Sequence, residues 1–94
     1  MRIHRLIWLD DIVEKLYDKH HVVPEEVREV LAYRPKFRRV EKGHRPGEDV
    51  YLAAGPTTDG RYLSVFFIHK HTGQALVLSA RDMTRAERHT YDRK

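Results

Sequence analysis

The side chains able to do chemistry in this sequence are histidines, arginines, carboxylates and tyrosines, because it contains no cysteine. Disulfide frameworks, thiolate zinc sites, iron–sulfur clusters and cysteine nucleophiles are thereby excluded. Seven histidines invite a metal, but His20 and His21 are merely adjacent, His69 and His71 have no carboxylate at a familiar ligand spacing, and no H-E-x-x-H pattern occurs. No metal site is expected. The five glycines stand singly, so there is no glycine-rich phosphate loop, and no G-x-S-x-G elbow presents a serine. No nucleotide cofactor is expected either.

Such a set can cleave RNA unaided, because RNA carries its own nucleophile, the 2′-hydroxyl beside the scissile phosphate. The protein must remove that proton, stabilise the extra negative charge and protonate the leaving oxygen. His44, Glu48 and His89 are candidate proton handlers, and Arg61, Arg81, Arg85 and Arg88 candidate charge stabilisers. For each of them a surface or ion-pair role is the alternative. Arg81 stands out. It ends a strand just before a capped helix, so one phosphate could meet its guanidinium and the free N–H groups of the helix together. Its alternative is an ion pair with Asp82 or Glu87 that locks the last helix. The nuclease reading requires His44, Arg61, Arg81 and Arg85 to converge on one concave surface.

Charge is distributed unevenly. The net charge is +4, yet residues 34–46 alone carry six basic side chains and one acidic, a local +5. A focused patch of that sign concentrates polyanions, nucleic acid above all. Substrate phosphates would meet Arg38, Arg39 and Arg45 in that segment and Arg88, His89 and Tyr91 in the last helix; a solvated basic loop is the alternative.

The elements that must position these groups are legible in part. At 94 residues, 40% hydrophobic, one domain spanning 1–94 is expected. Ile3 to Leu9 reads as a strand, and Asp11 with Glu14 as a capping box opening a helix that runs to His20 and His21. Ile12, Leu16 and His20, flanked by Val13 and Tyr17, form its buried stripe. Pro24, Glu25 and Glu26 open a second helix that stops before Pro35. Lys36 to Lys42 is a weak strand; Asp49 to Gly55, Arg61 to His69 and Gln74 to Ala80 are three more, joined as antiparallel hairpins through Pro56, Asp59-Gly60 and Thr72-Gly73. Thr84 with Glu87 caps a closing helix. The expected fold is α+β, an antiparallel sheet of 4–5 strands with two N-terminal helices and one C-terminal helix. The longest mainly apolar run, Tyr62 to Ile68, is far short of the ~20 residues of a membrane span. Leu6 to Leu9 is too brief for an export signal, so a soluble cytoplasmic protein is expected.

The closing stretch, Leu78-Ser79-Ala80-Arg81 through Thr84, Glu87-Arg88 and Tyr91, resembles the C-terminal signature of the BrnT toxin family: a strand, S-A-R, two residues, T, two residues, E-R, two residues, Y. Trp8, Lys19-His20 with Val22, Glu25-Glu26, His44 followed by Glu48, and Asp59-Gly60-Arg61 fall in the same order at similar spacing. The resemblance implies a RelE-like fold and a ribonuclease toxin of a type II toxin–antitoxin system, which inhibits translation and is neutralised by a cognate antitoxin. The chain departs from the family pattern at Leu9, Ile12 and Leu16, where aspartate, lysine and asparagine are usual. It departs again at His21, where glycine is frequent, and at Val50, where arginine is common.

Three functions fit this reading. One is a metal-independent endoribonuclease toxin acting through His44, Glu48, Arg61, Arg81 and Arg85. Another is a nucleic-acid-binding module without chemistry, using Arg34 to Arg45. The third is an antitoxin-binding domain that has lost the activity.

Overall fold

The computed structural model describes residues 1–93. The elements follow the expected order: β1 (Arg5–Ile7), α1 (Asp10–His20), α2 (Pro24–Ala32), β2 (Lys36–Glu41), β3 (Val50–Pro56), β4 (Tyr62–His69), β5 (Gln74–Asp82) and α3 (Arg85–Asp92). They form one five-stranded sheet in the order β1-β5-β4-β3-β2, with three helices. The α+β expectation holds.

β2 to β5 are a meander of antiparallel hairpins, but β1 lies parallel to β5, with Arg5 opposite Gln74 and Ile7 opposite Leu76. After β1 the chain crosses one face of the sheet as α1 and α2 and enters the far edge at β2, so β1 is left beside the outer edge of β5. Only three residues pair, fewer than the seven the apolar run suggests.

The face under α1 and α2 holds the core. Ala53, Leu63, Val65, Phe67, Val77 and Ala80 project there against Leu16, Val27 and Val30, all of them buried. Leu16 explains one departure from the family pattern, since an asparagine there would be buried among these apolar groups. α1 begins two residues earlier than the Asp11–Glu14 capping box implies, and no side chain caps it. Leu9 takes the N-cap position, its carbonyl accepting from Ile12 and Val13 at 3.0 and 3.2 Å, and Asp10 and Asp11 lie in the first turn at the positive end of the helix. Tyr17 is not in the buried stripe: it is 57% exposed, its ring edge-on to His21.

α1 closes on His21 in the left-handed region, φ +53°, with the Val22 N–H donating back to Leu16 O at 3.2 Å. Glycine adopts that conformation without the Cβ penalty that His21 carries. His21→Gly is expected to stabilise the protein by about 0.5–1 kcal/mol, read as a higher urea midpoint at unchanged slope. A lower midpoint would show that the Tyr17 contact outweighs the backbone strain.

One irregularity decides what the other face carries. Phe66 is opposite Ser79 while Phe67 is opposite Val77, so Leu78 is an extra residue in β5. In a regular strand Val77 and Arg81 would share the helix-covered face. The bulge shifts the alternation, sending Ala80 and Asp82 to that face and Arg81 to the opposite one, level with Ser64, Ala54 and Lys36.

Candidate nucleic-acid interface

The opposite face is partly covered by α3. The Thr84–Glu87 capping box is present: the Thr84 hydroxyl accepts the Glu87 N–H at 3.1 Å and the Glu87 carboxylate accepts the Thr84 N–H at 2.9 Å. No residue of α3 is buried, and between the helix and β2 runs a groove of about 320 Å³. Leu52 and Ala54 line its sheet side together with Ser64, and Glu87, Thr90 and Tyr91 its helix side. Lys36 and Arg38 on β2 stand at its outer rim.

Glu87 lines the groove next to Ser64 and is held by Arg81. The guanidinium donates from Nη1 and Nη2 to the two carboxylate oxygens at 2.7 and 2.8 Å, and its carbon lies 5.3 Å from the Phe66 ring centre. The Arg81 hydrogen bonds are the largest influence holding the Glu87 carboxyl down to about 2, with the Thr84 N–H and the Ser64 hydroxyl adding to it and burial opposing. The same contact raises Arg81. The ion-pair alternative for Arg81 is thus present in the resting protein. Glu87 contributes stability that is complete above pH 4.5, its ordinary value, and is lost as pH falls towards about 2. The urea midpoint of the wild type is therefore expected to fall more steeply across that interval than that of Glu87→Gln.

Tyr91 packs edge-on to Tyr62 at 5.7 Å, and burial pushes its hydroxyl pKa up, so it keeps its proton at neutral pH. The Lys36 ammonium lies 4.7 Å from the Tyr91 ring centre and donates to the backbone oxygens of Tyr91 and Arg93, satisfying carbonyls at the C-terminal end of α3. Arg88 stacks on Tyr62, while Arg85 and His89 are exposed.

The other expected site residues lie elsewhere. Arg61 serves the opposite side of the sheet. Its Nε and Nη2 donate to Asp82 at 2.7 and 3.1 Å, Nη1 to Glu26 and to His21 O, and Nη2 to His20 O at 2.7 Å. All five N–H donors are committed to protein acceptors. Asp82 is correspondingly lowered, first by its hydrogen bonds to Arg61. His44, Arg45 and Glu48 sit in the loop between β2 and β3. That loop leaves the sheet at the row Glu41–Val50–Ile68, four residues or about 13 Å along the strands from the row that holds Ser64 and Arg81. Arg39 pairs with Asp49 at 3.5 Å near the same loop.

The structure therefore brings Arg81, Arg88, Tyr91 and Arg38 to one face, with Arg85 and His89 on the outer side of the flanking helix. It leaves Arg61 on the other face and His44, Arg45 and Glu48 at the far end. The convergence of His44, Arg61, Arg81 and Arg85 expected from the sequence therefore does not occur, and Arg81 alone of those four lies beside the groove. Lys36, Tyr62, Ser64 and Phe66 belong to the groove side and were not singled out from the sequence. The signal for three of them was the alternation of β4: its odd residues are the core-facing ones, so its even residues share the other face. Among the described residues, no three histidine or carboxylate side chains gather as a metal ligand set, and no helix is long and apolar enough to cross a membrane.

No protein-family model and no curated protein matches the sequence. Among solved structures, the 1.1 Å crystal structure of the Brucella abortus ribonuclease toxin BrnT is similar. The TM-score is 0.62, covering 86% of this chain and 97% of that one, at 16% identity. At that identity the likeness is one of backbone architecture, and it agrees with the resemblance carried by the closing motif. The chain has the fold of a BrnT ribonuclease toxin.

Proposed function

We propose that the protein is a metal-independent endoribonuclease of the toxin type, which binds an RNA strand across the sheet face flanked by α3. The observation that carries this reading is the β5 bulge, which aims Arg81 at that face, where its partner Glu87 lines a groove rimmed by Lys36 and Arg38 and shielded on one side by a helix. The fold it shares with a ribonuclease toxin supports the reaction type.

A phosphate bound by Arg81 would replace Glu87 in a bidentate contact. The released carboxylate would lose the interaction that depresses its pKa and return towards its ordinary value. It is then the group nearest the bound phosphate able to accept the 2′-hydroxyl proton. Arg81 stabilises the charge that develops on the phosphate, Tyr91, still protonated, donates a hydrogen bond from the helix side, and as the P–O5′ bond breaks the departing 5′-oxygen takes its proton from water. His44 and Glu48 belong to the loop that leaves the sheet about 13 Å along the strands from Arg81 and are given no part in this step. The antitoxin fits the same cations, since carboxylates presented to Lys36, Arg38 and Arg81 would occupy the sites phosphate needs.

The test is incubation of RNA with the folded protein in EDTA. Cleavage products ending in a 2′,3′-cyclic phosphate and a 5′-hydroxyl support the proposal. A second reading, binding without cleavage, is favoured by one observation: of the four arginines expected to stabilise charge, Arg61, Arg81 and Arg88 each already hold a carboxylate. RNA that stays whole while its affinity falls steeply with salt would select that reading.

A further inference from the structure

Three side chains of β4, Tyr62, Ser64 and Phe66, project to the face that α3 partly covers, and both rings carry an arginine. The Arg88 guanidinium carbon lies 3.4 Å from the Tyr62 ring centre, at stacking contact. The Arg81 guanidinium covers Phe66 more loosely, at 5.3 Å. Each cation is held from the side by an acid of α3: Arg81 by Glu87, and Arg88 through Nε by Asp92 at 3.3 Å. Tyr62 is braced in turn by the Tyr91 edge. The two stacks sit about 13 Å apart along a single strand, on either side of Ser64.

Ion pairing alone does not require this arrangement. An arginine that only neutralised Asp92, four residues on, need not also rest on a ring. Here the guanidinium carbon rests 3.4 Å from the Tyr62 ring centre, and the side chain remains 44% exposed. A flat, delocalised cation fixed in this way offers a nucleobase a stacking surface, and the cost of ordering the side chain has already been met within the fold. Its Nη groups, which have no hydrogen-bond partner among the described residues, are left to meet a base edge or a phosphate.

We infer that Tyr62 and Arg88 form a nucleobase-stacking subsite beside the phosphate grip of Arg81, and that it makes this face selective for single-stranded over duplex RNA. The inference rests on the RNA reading above and adds to it a residue, Tyr62, and a substrate form. In a duplex the bases are stacked on one another and only backbone and groove edges are offered, so the subsite stays empty.

The experiment compares three probes at fixed salt: a 2′-O-methyl single strand, which has no nucleophilic hydroxyl and stays intact; a duplex with the same number of phosphates; and inorganic polyphosphate. The wild type is expected to prefer the single strand to the duplex. Arg88→Lys keeps the charge but loses the plane, and should weaken single-strand binding about tenfold while leaving polyphosphate binding unchanged. Tyr62→Leu should do the same, and Arg88→Lys secures the conclusion should the tyrosine variant unfold. Equal losses on strand and polyphosphate would reduce Arg88 to a point charge and overturn the subsite. So would a wild type that binds duplex as tightly as single strand. A wild type that binds RNA and variants that match it defeat only this inference. A wild type that binds no RNA defeats the proposed function as well.

Discussion

Arg61→Ala is expected to lower the free energy of unfolding by about 2–3 kcal/mol, moving the thermal midpoint down by roughly 10–20 °C. The guanidinium joins four places in the fold. Asp82 ends β5, Glu26 lies in the first turn of α2, and His20 O and His21 O belong to the C-terminal end of α1. Its removal leaves two carboxylates facing each other's neighbourhood and two helix-end carbonyls without their donor. With the side chain 26% exposed, water recovers part of that loss, which keeps the expected cost below that of a fully buried pair. Arg61→Lys should rescue little, because a single ammonium cannot span all four acceptors. The decisive comparison is cleavage per folded molecule at low temperature, which should be that of the wild type. A variant as stable as the wild type but inactive would mean that Arg61 leaves its carboxylates to meet RNA.

Arg61 shows where sequence reading stops. Its position after the Asp59-Gly60 turn was evident, and so were the hairpins and the Thr84–Glu87 cap, because each depends on residues a few places apart. Which carboxylate an arginine takes depends on strand pairing over 21 residues in one case and helix docking over 35 in the other, and neither leaves a local pattern. The parallel pairing of β1 escaped for the same reason. The Leu78 bulge is the sharpest instance. A strict alternation through Val77, Ser79 and Arg81 would put the arginine under the helices, and only the register against β4 reveals that it points the other way. The basic segment 34–46 was plain in the sequence, but the sheet divides it: Lys36 and Arg38 face the groove, Arg39 turns to Asp49, and Arg45 stays in the loop. Ile12 and Leu16 read as departures from a motif, and as part of a helix stripe they are what packs α1 on the core.

Arg81→Ala is expected to reduce RNA cleavage at least about 100-fold while costing roughly 1 kcal/mol of stability. The two effects differ in size because the pair with Glu87 is a third exposed and the α3 cap survives without it, the Glu87 carboxylate still accepting from the Thr84 N–H. The charge that develops at phosphorus, by contrast, has no other guanidinium aimed at the inner end of the groove. Binding measured against salt should lose about one phosphate contact from its slope. Glu87→Gln separates grip from chemistry. It frees Arg81 from its resting partner, so RNA affinity should hold or rise, while cleavage falls because no carboxylate remains to take the 2′-hydroxyl proton. If His44→Ala rather than Glu87→Gln abolished cleavage, the proton would have to be handled about 13 Å away at the loop end of the sheet. Such a result would move the reacting bond towards the other end of the face and leave Arg81 as the lock of α3.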